Sequence, residues 1–159
     1  METEKQQEFT MDASVFRVAI VISTFHRKLA DELVQNAKEE LLRNGVKAEN
    51  IHITEVAGAL EIPFICKKIM HFRKMDIIIA LGIVIRGETT HYDLVTKTTY
   101  QGLMQLQVSE WATVPIAFGI LACENLEQAL HRVSKNGLNK GKYAVQAALI
   151  QEYQIRNSL

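Results

Sequence analysis

The chain has 159 residues, of which 48% are hydrophobic and 23% charged. That composition excludes a disordered segment and fits one globular domain able to bury a core. Its 18 basic and 18 acidic side chains cancel, which excludes a broad electrostatic footprint for nucleic acid or an anionic membrane, so any bound anion must be met by a local site.

Residues 1–15 are mostly polar and carry no apolar signal-peptide core, and no later run approaches the ~18 apolar residues that span a bilayer. The expectation is a poorly ordered amino-terminal tail on a single domain in a cytoplasmic protein. Residues 16–22, FRVAIVI, are β-rich and predict the first strand. Leu29, Leu33, Ala37 and Leu41 then recur at i, i+4, with Gly45 at the C′ position, which predicts an amphipathic helix over residues 28–44. Residues 51–56 alternate apolar and polar side chains as a second strand. Pro63 suits the first turn of a helix reaching His71, because its missing N–H leaves no bond unmade there.

Residues 77–85 are apolar on both alternating faces, interrupted only by Gly82. A run that short and that β-branched predicts a central parallel strand covered on both sides. A helix over residues 90–110 follows, weakened by Thr96, Thr98 and Thr99. Residues 114–121 form a fourth strand, with Pro115 near its start. Asn125 with Gln128 predicts a capping box and a helix through Val133; Asn136-Gly137 turns the chain into a last helix through Ile150. Strict alternation of this kind predicts an α/β, three-layer, flavodoxin-like sandwich with a four-stranded parallel sheet.

Open parallel sheets place ligands at the carboxyl ends of their strands. Here those ends carry Ser23 to His26, Ala57 to Glu61, Arg86 to His91, and Phe118 onward into the helix bearing Arg132. His91 reads either as a proton-transfer group working near neutral pH or as a helix-start histidine bonded to Asp93. The segment Arg86-Gly87-Glu88-Thr89 offers backbone N–H groups to an anion at a helix start, but it matches neither a Walker loop nor GxGxxG. Phe25 reads as a stacking platform or a core cap, Glu61 as a ligand or a helix-dipole partner, and Arg132 and Lys140 as site cations or solvated surface. Cys66 and Cys123 stand far apart without zinc-ligand spacing and read as reduced core residues.

Taken together, residues 58–63 (GALEIP), 80–93 (ALGIVIRGETTHYD), 118–121 (FGIL), 127–129 (EQA) and 139–141 (NKG) resemble the lumazine synthase family. The likeness runs from about Phe16 to Ile150. It implies condensation of 5-amino-6-ribitylaminouracil with 3,4-dihydroxy-2-butanone 4-phosphate to 6,7-dimethyl-8-ribityllumazine, with no metal or redox cofactor. By the same resemblance Phe25 stacks on the pyrimidine, Ala59, Leu60 and Glu61 flank the ribityl chain, and the backbone of Ile83, Val84 and Ile85 reads the ring edge. Gly87, Glu88 and Thr89 cradle the phosphate, with Arg132 as counter-charge and Lys140 nearby. Phe118 closes the pocket from the neighbouring subunit, and His91 shuttles protons. The resemblance also implies a homo-oligomer built on pentamers and an association with riboflavin synthase. Ala57, Leu60, Ser134 and Tyr143 depart from the family's usual residues.

Overall fold

The computed structural model describes residues 8–159. Its element order is β1 (Val18–Ser23), α1 (Arg27–Arg43), β2 (Ile51–Val56), α2 (Ile62–Phe72), β3 (Ile77–Ile85), α3 (His91–Gln107), β4 (Ile116–Cys123), α4 (Leu126–Val133) and α5 (Lys140–Ser158), with short 3₁₀ turns at Ala48–Asn50 and Ala59–Glu61. The four strands are all parallel in the order β2-β1-β3-β4. This is the α/β, flavodoxin-like three-layer arrangement that the alternation predicts.

The two-sided burial expected of β3 is complete along most of its length: residues 77–81 are each 0% exposed. Side chains alternate along a strand, so Ile77, Ile79, Leu81 and Ile83 enter one core with α1, α4 and α5. Ile78 and Ala80 enter a second core with Ile62, Cys66 and Met70 of α2 and Leu103 and Leu106 of α3. Each such isoleucine or leucine contributes about 1.5–3 kcal/mol relative to exposure. Burial also pushes the Cys66 thiol up to about 12, which keeps it protonated and inert.

Element boundaries shift for local reasons. β1 begins at Val18 rather than Phe16, because the Arg17 N–H is taken by the Asp76 carboxylate at 2.7 Å while Asp76 donates its own N–H to the Arg17 carbonyl at 2.8 Å. Phe16 is buried, with the Arg156 guanidinium 4.6 Å from its ring centroid. β4 begins at Ile116, one residue after Pro115, whose carbonyl accepts from Ile78 at 3.0 Å. α3 is shorter at both ends than its pattern suggests. α5 runs eight residues past Ile150, secured by the Arg156–Glu152 and Arg156–Asp76 ion pairs. Gly45 has φ +91°, the left-handed cap predicted for it. Asn125 accepts from Gln128 N–H at 2.9 Å, but the return bond of Gln128 goes to Glu124 N–H rather than to Asn125.

The expected tail needs one correction. Residues 1–7 lie outside the described residues, whereas residues 8–15 are tied to the helices. Phe9 donates its N–H to Gln146 and accepts from the Gln146 amide, Met11 donates to Asn44 Oδ1, and Ala13 is fully buried. Behind them Gln146 donates to Glu40 at 2.8 Å and Arg43 clamps the same carboxylate. Sequence pattern missed this because a buried Glu–Asn–Gln network has no periodic signature.

Burial raises the Glu40 carboxyl, but hydrogen bonds from Arg43 and Gln146 outweigh it and leave it below its ordinary value of 4.5. A depressed folded-state value means that this contribution is fully present above pH 4.5 and is lost as pH falls through the folded value. Glu40→Gln is therefore expected to lose about 2 kcal/mol at neutral pH, because a 4%-exposed carboxylate gives up its charge-assisted hydrogen bonds from Arg43 and Gln146. It should also decline less steeply than the parent on acidification. Unfolding followed by circular dichroism across pH checks both; parallel curves for the two proteins would exclude Glu40.

Candidate active site

The strand order reverses direction beside β1 and β3, since the chain moves out from β1 to β2 and then returns to β3 on the other side. Loops leaving adjacent carboxyl ends diverge at such a point and leave a crevice. Here the crevice is a cleft of about 510 Å³. Phe25 and His26 come from the β1–α1 junction, Ala57, Gly58, Ala59, Leu60 and Glu61 from the β2–α2 turn, and Ile83, Val84, Ile85, Gly87, Thr89, His91, Tyr92 and Val95 from β3 and the start of α3.

Of the residues singled out in the sequence, Phe25, Ala59, Leu60, Glu61, Ile83, Val84, Ile85, Gly87, Thr89 and His91 thus come together. Glu88, Phe118, Arg132 and Lys140 do not line the cleft of their own chain. Glu88 lies in the same turn and is exposed. Phe118, on β4, leans on Tyr100 with ring centroids 6.5 Å apart. Arg132 lies on α4, where its guanidinium donates to the Gln128 carbonyl at 3.4 Å. Lys140 opens α5 with its ammonium 5.8 Å from the Tyr143 ring centroid, so the unusual tyrosine engages this cation through its π face.

Phe25 is 78% exposed, which removes the core-cap reading, and its ring meets the His26 imidazole edge-on at 5.1 Å and 75°. A flat apolar face is thereby presented at the cleft. Burial lowers the pKa of His26, keeping it neutral beside that face. The Glu61 carboxylate folds back toward Gly58, where an added Cβ would meet its Oε2 at 3.0 Å. His26, Gly58, Tyr92 and Val95 are cleft residues to which sequence reasoning gave no role; for His26 and Gly58 the strand-end position was the available signal.

At the β3–α3 turn the Gly87, Glu88, Thr89 and Thr90 N–H groups find no acceptor among the described residues, and Thr90 caps α3 without a side-chain bond. His91 donates its N–H to Thr89 Oγ1 at 3.3 Å. The bond from the His91 ring to Asp93 is not formed, because both Asp93 oxygens are held by Arg86 at 2.9 and 3.1 Å. The turn therefore presents unused donors, the positive end of a helix and an exposed imidazole at the mouth of an apolar cleft. This arrangement can bind an anion beside a flat ring and move protons between them.

A protein-family model described as 6,7-dimethyl-8-ribityllumazine synthase matches residues 15–152. Curated relatives with that name include one from Desulfovibrio desulfuricans, 36% identical over 159 residues and all of both chains. One from Lawsonia intracellularis is 42% identical over 138 residues, 87% of each chain. One from Nitratidesulfovibrio vulgaris is 40% identical over 145 residues, 91% of this chain and 92% of the relative.

Because Phe25 is so exposed, Phe25→Ala should change unfolding stability by no more than about 0.5 kcal/mol. Loss of several kcal/mol in a denaturant titration would mean that the ring supports the fold rather than a ligand.

Proposed function

This chain belongs to the 6,7-dimethyl-8-ribityllumazine synthase family, enzymes of riboflavin biosynthesis, and we propose that it catalyses the family reaction on 5-amino-6-ribitylaminouracil and 3,4-dihydroxy-2-butanone 4-phosphate. The observation that carries this reading is the meeting, in one cleft, of the exposed Phe25 ring, Glu61 and the donor-rich turn ending at His91. Each answers a different part of the two substrates. Phe25 offers a stacking face for the pyrimidine, whose polar edge can bond to the backbone of Ile83, Val84 and Ile85. Ala59, Leu60 and Glu61 suit a polyol chain. The amides of Gly87 to Thr89 suit a phosphate, with Glu88 in the same turn.

The pyrimidine's 5-amino group attacks the butanone carbonyl, and the carbinolamine loses water to give an imine. Phosphate leaves by elimination; attack of the ribitylamino nitrogen on the remaining carbonyl then closes the ring and expels a second water. Protons move at every step, which is the work assigned to His91. Holding both substrates in one cleft supplies most of the acceleration, and acid–base assistance adds roughly 10²–10⁴. Phe118, Arg132 and Lys140 belong in this reading to the neighbouring subunit's contribution, in a ring of five. Such a head-to-tail contact joins two different surfaces, and residues that do not line their own cleft then complete the next one.

Incubating the protein with both substrates should yield the lumazine, seen by absorbance and fluorescence, together with inorganic phosphate. Binding of the lumazine without its formation would identify a ligand-binding module instead. His91→Ala is expected to lower turnover by about 10- to 1000-fold with the fold intact; unchanged kcat across neutral pH would remove His91 from the mechanism.

The shared site has its own test. His91→Ala and Arg132→Ala chains, unfolded, mixed equally and reassembled, should regain roughly a quarter of wild-type activity, since a heterologous contact draws one face from each neighbour. Mixed assemblies verified by mass spectrometry but no more active than either parent would mean that both residues act within one chain.

A further inference from the structure

Arg86, the last residue before the donor-rich turn, has an arrangement that neither stability nor direct ligand binding explains. Its Nη1 and Nη2 donate to the two oxygens of Asp93 on α3 at 2.9 and 3.1 Å, its Nε donates to Glu124 at the β4–α4 junction at 2.7 Å, and Nη2 reaches the second Glu124 oxygen at 3.4 Å. The guanidinium also lies 4.2 Å from the Tyr92 ring centroid, and the Arg86 N–H donates to the Cys123 carbonyl at 2.9 Å. The side chain is 35% exposed and its partners more so. Ion pairs in such surroundings add little stability. Two carboxylates already surround the one cation, so it has no net positive charge to offer a phosphate.

What the fork does have is geometry. A planar guanidinium held by two carboxylates on different elements, with an aromatic ring against its face, fixes the relative placement of those elements in a way a point charge does not. The five residues between Arg86 and Tyr92 are the turn and the first residue of α3, and they are tied down only at their far end, where the Thr90 carbonyl accepts from Asp93 and Leu94 at 3.1 and 3.4 Å; their own N–H groups lack acceptors among the described residues apart from the single bond from His91 to Thr89. Arg86 anchors the turn at its start, while Tyr92 and Asp93 anchor it at its end. We propose that Arg86 is a positioning residue that pins the β3–α3 turn from both sides, so that the amides of Gly87 to Thr89 and the imidazole of His91 are held in register with each other. Its importance for turnover rests on the reaction proposed above; its control of the turn does not.

Two variants of the full-length protein test this: Arg86→Met, which keeps the stem and removes the fork, and Arg86→Lys, which keeps the charge and removes the fork. Hydrogen exchange of the peptide spanning residues 86–93 is read by mass spectrometry without any substrate. The open amides of Gly87 to Thr90 exchange freely in every variant, so the readout is the bonded amides of His91 and Asp93, which should exchange about tenfold faster in both variants than in wild type, with the core strands unchanged. In kinetics, kcat/KM for the butanone phosphate should fall about ten- to hundredfold in both, while KM for the pyrimidine stays within about threefold, because misplacing the turn disturbs the phosphate and His91 but not the Phe25 side. Should Arg86→Met fail to fold, Asp93→Asn removes one of the fork's four acceptor oxygens together with the Asp93 charge and should move both readouts in the same direction. Unchanged exchange in the turn, or full restoration of both readouts by lysine, overturns the proposal. A wild-type protein inactive on the two substrates overturns the reaction and leaves the exchange result to decide the role of Arg86.

Discussion

The burial of β3 on both faces is the constraint on which the rest of this structure depends. A strand with no exposed face cannot carry polar side chains along its length without leaving them unsatisfied. From Ile77 to Ile85 this one carries none. Polar chemistry is therefore displaced to the ends of the sheet, and the parallel topology makes the carboxyl end the edge where successive loops converge. Even the one interruption, Gly82, serves the packing: an added Cβ there would come within 2.7 Å of Ser23 Oγ and 3.3 Å of Ile62 Cδ1.

Away from the sheet, a chain with no net charge spends its ionic groups locally. The Glu40, Arg43, Asn44 and Gln146 network and the Arg86, Asp93 and Glu124 fork follow the same logic in different settings. In the first, a buried carboxylate is matched by enough donors to remain ionised, and the same groups bind residues 8–13 to α1 and α5. In the second, half-exposed charges add little energy but fix geometry at a turn whose own amides are left open. Donors left unpaired at a helix start are costly unless water or an anion meets them. That cost is the physical link between this turn and the phosphate of the proposed substrate.

The cleft is open on the side where Phe25 and Leu60 stand 78% and 45% exposed. On the α2–α3 layer, Leu94, Met104, Val108 and Trp111 are each more than half exposed. In the proposed ring of subunits these side chains would gain a partner, and Phe118 and Arg132, which do not line their own cleft, would be brought toward the next one. Both expectations follow from one heterologous contact.

Much of the fold was legible in the chain because periodicity records burial directly. The i, i+4 series of α1, the continuous apolar run of β3, the Gly45 cap and the Asn125 cap all reappear where the pattern put them. The residues around the cleft were legible as well, since strand ends can be found from strand patterns and parallel strands bring those ends together. What the pattern left open were choices between partners. The chain alone did not determine whether Asp93 would bond His91 or Arg86, whether Phe25 would face the core or the cleft, or whether residues 8–15 would dock. Each depends on groups far away in sequence competing for one donor or one surface: Arg86 reaches Glu124 across 38 residues, and Gln146 meets Phe9 across 137. Local sequence sets which groups are present and which face they occupy; only the closed tertiary structure decides which of them come close enough to pair.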